Sequence, residues 1–460
     1  MQKKLLVIWL ILFALLIGSG FSIKLGGTES GTSIVDENTF IDDVGNKIEV
    51  DGPYKKIISL FNEHTENLFT LGVGDKIIGV NRASNFPYET TKLPSYVYDE
   101  ESDIKSIIEA KPDLVLISPS INSKYPAFVT RIETAGIKVV SLRPESFEDF
   151  DIYMEKLAML TGTKDKCKSL LKEFHSQLDN LKDQTKNYEV KTDVFFEGSE
   201  IGYRTFAKGS LPYIAIENAG GENVAGPLKS NESSGRLAKY GIENLEANKD
   251  KIDVYLTLQG GEEPGASLIS IKQKDNFKEF KAIKEGRVYE MHRYFIDSYT
   301  FRYVDGTYEI ARYLYPEIFD DIREYKNEEI LTRESFAAIT VKMLHIPTFI
   351  NGRADYYDFE RYNHTYGAYE DISYKDEDFN IIETAAMRSF VKTHKKKDGT
   401  EYFGRNEKIN KKDISDFLYI EFNIKPEESK KFVKDTYTNR EFINLLNDII
   451  KKQDKNDKSK

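Results

Sequence analysis

The chain has 460 residues, 40% of them hydrophobic and 31% charged, with a formal net charge of −11 and a single cysteine. That length exceeds what one hydrophobic core supports, so two or three domains are expected. The acidic balance argues against a nucleic-acid partner, because such binders carry a basic face that displaces counterions, and a lone cysteine excludes a disulfide within the chain.

The first stretch, MQKKLLVIWLILFALLIGSGFSIKLGG, places two lysines before an unbroken apolar run from Leu5 to Ile17. This is the layout of a secretory signal. Extended to Ile23 the run reaches 19 residues, enough to cross a bilayer, so residues 1–30 read as a signal peptide or an N-terminal membrane anchor. In both cases Lys3 and Lys4 hold the start inside and the rest is exported, to the outer face of the cytoplasmic membrane or the cell wall. Cys167 lies far from this segment; it offers no lipid attachment there and reads as a buried structural thiol.

From Thr39 to Arg143 strands and helices alternate: KKIISL, then TENLFTLGVG, KIIGV, DIKSIIEAK, PDLVLIS, YPAFVTRIETAG and IKVVSL. Apolar strands separated by helical segments predict a parallel sheet covered on both faces, and hence a first α/β lobe over residues 36–145. Residues 146–189 read as a helical connector. In it Leu170, Leu171, Phe174, Leu178 and Leu181 recur at helical spacing behind a capping Thr163, predicting one long stiff helix. A second alternating lobe is expected over residues 190–320, where GIENLEANKDKIDVYLTLQ repeats the layout of DIKSIIEAKPDLVLISPS. The fold class is therefore α/β: two parallel-sheet lobes joined by one long helix, followed by a mainly helical region over 328–450 and a disordered tail over 451–460. Ligands of open parallel sheets sit beyond the carboxyl ends of the strands, and clefts between domains favour small-molecule sites. The predicted geometry is that of a cleft binder.

Five stretches in order, KKIISLFNEHTENLFTLGVGDKIIGV, IIEAKPDLVLISPS, AGIKVVSL, ENAGGENVA and FKAIKEGRVYEM, carry a resemblance over residues 39–320. It is to the substrate-binding proteins of ABC importers for ferric siderophores, haem or cobalamin, and TFRYVDGTYEIARYLYPEIF looks most like the iron-complex branch. The resemblance implies a monomer without catalytic activity or intrinsic cofactor, which takes up a small-molecule metal chelate and passes it to an ABC permease. A ferric siderophore is the first expectation; haem or a corrinoid, or a wall-associated surface role without transport, are the alternatives. The absence of a nucleophile elbow, an HExxH or a phosphate-cradling glycine loop agrees with a protein that performs no chemistry.

The same resemblance points the loop after the first strand into the cleft, so Phe61, Asn62, Glu63 and His64 are expected to line it, while Thr65 caps the next helix and Glu66 merely favours its start. Strand-end logic adds Arg82, Ser118 and Ser120 from the first lobe, and Tyr203, Arg204, Phe206, Gln259, Arg293 and Tyr294 from the second. Guanidinium forks suit the oxygens of an iron chelate, and aromatic faces suit its apolar body. Arg204 and Arg293 lead this set. His64, His175 and His292 are too few for a bare-metal receptor, though His64 and His292 could meet as axial ligands of a haem, a reading ranked below chelated iron. No protein metal site is expected. Docking to the permease is expected through an acidic residue on each lobe: Glu243 on the second, and Asp103, with Glu109 as a substitute, on the first, where the matching position is Lys105.

After residue 321, ILTRESFAAITVKMLHI and YEDISYKDEDFNIIETAAMRSFVKTHKKKDGTEYFGRNEKINKKDISDFLYIEF resemble S-layer homology repeats, modules that grip cell-wall polysaccharide. Their Thr-Arg-Ala-Glu motif is represented by Thr332, Arg333 and Glu334, whereas the second copy has Asn410, Lys411, Lys412 and Asp413. The resemblance implies cell-wall polysaccharide as a further partner; the alternative is a helical bundle that packs on the lobes.

Overall fold

The computed structural model describes residues 34–186, 190–230, 235–260, 265–348 and 364–457. The expectations for residues 1–30 lie outside the described residues. Among the described ones, no helix is long and apolar enough to cross a membrane.

A small antiparallel sheet of β1 (Ile34–Asp36), β2 (Thr39–Ile41) and β3 (Lys47–Glu49) opens the fold. The first lobe is built on β4 (Ile57–Ser59), β5 (Ile77–Asn81), β6 (Ser95–Tyr96), β7 (Leu114–Ile117) and β8 (Lys138–Ser141), in the order β6-β5-β4-β7-β8 with every pair parallel. The central strands β4 and β7 are buried at every position, which only helices on both faces can provide. Helix α1 (Asn62–Thr70) leaves the carboxyl end of β4 directly.

The connector holds a helix over Phe150–Thr161 and then α2 (Lys164–Thr185), whose 22 residues span about 33 Å. Its buried stripe is Cys167, Leu171, Phe174, Leu178, Leu181 and Thr185, the period-3.6 pattern read from the sequence. Thr163 precedes α2 but makes no side-chain cap bond. Cys167 is free and buried, and burial pushes its thiol up to about 12. One continuous core runs from the first lobe through α2 into the second.

The second lobe differs from a purely parallel sheet. Its strands β9 (Asp193–Ser199), β10 (Arg204–Phe206), β11 (Glu222–Asn223), β12 (Leu237–Lys239), β13 (Val254–Gln259) and β14 (Val288–His292) follow the order β12-β10-β9-β13-β14, with β11 beside β9. The pairs of β13 with β9 and β14 are parallel, but β10 runs antiparallel to both β9 and β12. The cause is local. Gly202 and Tyr203 adopt φ of +71° and +48°, turning the chain straight back on β9 as a hairpin instead of letting it cross over through a helix. Helix α3 (Tyr303–Leu314) follows, its Tyr313 ring stacked on Tyr289 of β14 at 3.9 Å.

The C-terminal part has a separate core, built by α4 (Arg333–Met343), α5 (Phe379–Met387), α6 (Lys411–Phe422) and α7 (Asn439–Asp457). Phe86 of the first lobe belongs to that core as well. The tail expected to be disordered from residue 451 is instead helical as far as Asp457, because α7 carries an amphipathic face that docks on α4.

Candidate functional site

The lobes meet across a cleft whose cavity encloses about 240 Å³. Its first-lobe wall comes from the start of α1 and from the loops after β5 and β7; its second-lobe wall comes from the segment following β14. Parallel strands deliver their carboxyl ends to the same edge, so these loops converge there.

Phe61, in extended backbone, precedes α1 and makes no side-chain cap. Phe61, Asn62 and Glu63 line the cavity. Asn62 is oriented by Ser84, whose hydroxyl donates to its Oδ1 at 2.9 Å, while its Nδ2 donates to the Ala83 carbonyl at 3.3 Å. Glu63 is buried, and its Oε2 has no hydrogen-bond partner. Burial pushes its carboxyl up to about 7, against the pull of Arg143 and Arg293. Arg293 lines the opposite side, and its Nε is likewise buried without a partner. Ser118 and Ser120, joined through their hydroxyls at 2.9 Å, and Tyr294 complete the predicted residues that reach the cavity.

Glu66 does more than favour a helix start. It accepts both forks of Arg302, at 2.6 and 2.5 Å, in a buried ion pair that crosses from the first lobe to the second. Arg302 lies between two rings, its guanidinium carbon 3.8 Å from the centroid of Phe86 and 4.7 Å from that of Phe295. Asn67 adds a second crossing, donating to the Tyr299 carbonyl at 2.8 Å. Burial raises Asp305 to about 7 despite Arg302, and raises Asp297 despite Arg236 at 2.6 Å. Arg302 was missed because strand-end logic stops at Tyr294, whereas the chain re-enters the cleft a turn before α3; Glu66 was read only as favouring the helix start, and Phe86 lies past the strand-end positions of the loop after β5.

Several expected cleft residues lie elsewhere. His64 is fully buried behind α1, with Nδ1 2.8 Å from the Tyr153 hydroxyl and Nε2 3.1 Å from the Ile117 carbonyl, and burial pulls it down to about 4. His292 accepts the Tyr294 amide at 3.3 Å and does not line the cavity, so the two histidines do not form a haem-ligating pair. His175 pairs with Asp151 on the connector surface. Thr65 donates to the Ser59 hydroxyl inside the first helical turn and caps nothing. Arg82 is held on the surface by Glu100 and Asp103, its side chain 52% exposed.

The hairpin of the second lobe removes three more. Phe206 is buried edge-on against Phe196 at 4.9 Å, Tyr203 packs on Phe277, and Arg204 donates to the Ile201 carbonyl and the Ser199 hydroxyl. Gln259 turns inward to the carbonyls of Gly265 and Ala266. On the outer faces Glu243 is exposed, as are Glu109 and Lys105, which pair with each other; Asp103 is bound to the Val97 amide at 2.7 Å as well as to Arg82.

The wall-binding triad also turns inward. Thr332 caps α4 in a reciprocal pair with Ser335. Arg333 is buried, donating to the Phe403 carbonyl at 2.6 Å, the Lys392 carbonyl at 2.6 Å and Asp413 at 3.2 Å. Glu334 pairs with Arg405. The arginine and the aspartate of the two motif copies therefore pair with each other, which takes the Arg333 guanidinium away from the surface.

Two α/β lobes, a rigid helix between them and a cavity bounded by loops from both define a two-lobed solute-binding protein. Residues 57–294 match the model of the Periplasmic binding protein family, and the chain belongs to that family. It is 26% identical over 291 residues, 61% of this chain and 87% of the relative, to the uncharacterized ABC transporter substrate-binding lipoprotein YvrC of Bacillus subtilis (strain 168). It is 29% identical over 173 residues to the vitamin B12-binding protein of Vibrio campbellii (strain ATCC BAA-1116), covering 38% of this chain and 62% of that one. Among solved structures, a possible iron-binding (periplasmic solute-binding) protein of Staphylococcus epidermidis ATCC 12228 covers 57% of this chain and 100% of its own at 20% identity and a TM-score of 0.48.

Proposed function

We propose that the protein is the extracytoplasmic receptor of an ABC importer, and that it captures an iron complex of the ferric siderophore type in the inter-lobe cleft. The observation that carries this reading is the unfinished polar lining. A carboxylate oxygen of Glu63 and the Nε of Arg293, both buried without partners, face one cavity between the lobes. Buried polar atoms of this kind cost stability unless something completes them. A chelate supplies what both lack: coordinated oxygens accept from Arg293, and hydroxyl or amide hydrogens donate to Glu63. Phe61, Tyr98 and Tyr294 give the apolar body rings to lie on. Family membership and the substrate-binding relative support delivery to a permease, with Glu243 as the exposed acid on the second lobe.

Against haem held through an axial histidine stands the burial of His64, which is occupied by the Tyr153 hydroxyl and the Ile117 carbonyl. Isothermal titration of the full exported chain with a panel of ferric hydroxamates, ferric catecholates, ferric citrate, haem and cyanocobalamin tests the assignment. One-to-one binding of a ferric chelate, lost in Arg293→Ala, is the expected result. Silence across the whole panel overturns it.

A further inference from the structure

We propose that the C-terminal helical region is a clamp on both lobes, and that by holding the Phe86–Arg302 end of the cleft it sets how wide the cleft can open and therefore how large a guest it admits. The inference rests on the cleft being the ligand site, but the clamp itself is a statement about this chain alone.

The region grips the second lobe along α3. The Thr348 amide donates to Glu309 at 2.8 Å, Arg312 donates to the Ile346 carbonyl at 3.4 Å, and His345 meets Asp320 at 2.8 Å. It grips the first lobe through a different set of groups. Phe86, which lines the cavity, is seated in the C-terminal core, edge-on to Tyr374 at 5.4 Å and against Tyr366 at 6.3 Å. Beside it the backbone at Gly367 runs against Tyr88, so that a Cβ placed on the glycine would sit 3.5 Å from the Tyr88 Cβ.

One element that touches two bodies restrains their relative motion. Here the restraint acts where the lobes are in direct contact, because Arg302 of the second lobe lies 3.8 Å from the ring centroid of Phe86 while paired with Glu66. Opening the lobes at this end requires Phe86 to leave the C-terminal core, Arg302 to leave Phe86, and the buried ion pair to part. Those steps are coupled, since the ring that backs Arg302 is the ring that Tyr374 holds. Tyr366 and Tyr374 are therefore positioning residues: neither lines the cavity, yet they fix a residue that does.

Two readouts on the full-length protein test this. In the first, spin labels are attached at Lys105→Cys and Glu243→Cys, exposed sites on opposite lobes, with Cys167 left in place because it is buried. Dipolar distance measurement without ligand is expected to give one narrow distribution, which broadens or gains a longer component in Tyr374→Ala and Phe86→Ala. An unchanged width in both variants overturns the clamp, whatever the protein binds. Phe86→Leu, which keeps the apolar volume but loses the ring, is expected to fall between wild type and Phe86→Ala, and it serves if the alanine variant does not fold.

In the second readout, affinities for ferric citrate and for haem are compared by tryptophan-independent titration calorimetry. Tyr374→Ala is expected to shift the ratio toward haem by roughly tenfold, a change of one decade in the equilibrium constant. A merely structural tyrosine lowers the unfolding midpoint and leaves that ratio alone, so an unchanged ratio removes the size restriction. If neither probe binds any variant while the distances still widen, the receptor assignment fails and the clamp stands.

Discussion

Two groups of buried charges are finished differently in this molecule. In the C-terminal region each of the three Arg333 guanidinium nitrogens donates, to Phe403, Lys392 and Asp413, and His364 is held between Glu383 at 2.8 Å and Glu401 at 2.7 Å, with one Glu383 oxygen left over. In the cleft Glu66 and Arg302 are matched, but Glu63 and Arg293, on facing walls of one cavity, each keep an atom without a partner. Burying a charge costs several kcal/mol unless pairing and hydrogen bonds compensate. The C-terminal charges pair with one another, one Glu383 oxygen excepted, and so specify a packing arrangement. Those of the cleft stop short on both walls, and under the proposed function a guest supplies the remainder.

The largest expected effect tests the closed group. Arg333→Ala leaves Asp413 buried beside Asn410 alone, and is expected to cost about 3–5 kcal/mol in urea unfolding of the full chain. A loss below about 1 kcal/mol, the size of a surface pair, would mean that this cluster is not structural.

Next comes His364. Burial pulls its pKa down, but the carboxylates of Glu383 and Glu401 outweigh burial and raise it to about 9 from 6.5. Its charged form is thus favoured by folding. The stabilisation is fully present below the unfolded value, declines above it, and is gone once pH has risen through about 9. The shift corresponds to on the order of 3 kcal/mol. Unfolding midpoints compared at about pH 6 and about pH 10 are expected to fall further in wild type than in His364→Gln; equal falls would contradict the assignment.

The open group falls with pH in the same direction but for a different cause, burial rather than pairing. Glu63, raised to about 7 from 4.5, is disfavoured as a carboxylate in the folded chain, so its contribution to stability declines as pH rises between those values. Glu63→Gln is expected to flatten that decline. It is also expected to weaken chelate binding by about tenfold, the scale of one hydrogen bond to a charged group. Stability and affinity that both stay at wild-type values across pH 5–8 would place Glu63 outside the site.

The smallest effect belongs to Arg82. Held at the surface by Glu100 and Asp103 and absent from the cavity wall, its replacement by alanine is expected to leave both the thermal midpoint and chelate affinity at wild-type values. A measurable loss of affinity would return it to the cleft.

Much of the fold was legible because it rests on periodicity. The strand LVLI at 114–117 and the stripe from Cys167 to Leu181 could be assigned from apolar spacing alone, since burial on two faces or along one stripe leaves an unmistakable pattern. The hairpin at Gly202 and Tyr203 was not, because a two-residue change in backbone sign alters strand direction without altering composition. That one turn carried Tyr203, Arg204 and Phe206 out of the expected site. The cleft was read in part: Phe61, Asn62, Glu63, Ser118, Ser120, Arg293 and Tyr294 line the cavity, each at a strand end. His64, one residue beyond Glu63, faces the other way because successive positions on a helix point about 100° apart.

The sequence by itself determined the α/β class, the long connecting helix and the cleft-side strand ends, since all of these follow from local spacing and from chain order. Only the tertiary structure decided that Glu66 reaches Arg302, that Phe86 serves both the cleft and the C-terminal core, and that Arg333 faces Asp413 rather than solvent. Those partners lie 236 and 80 residues apart in the two ion pairs, and pairing over such distances is set by how separate elements pack, which no local pattern encodes.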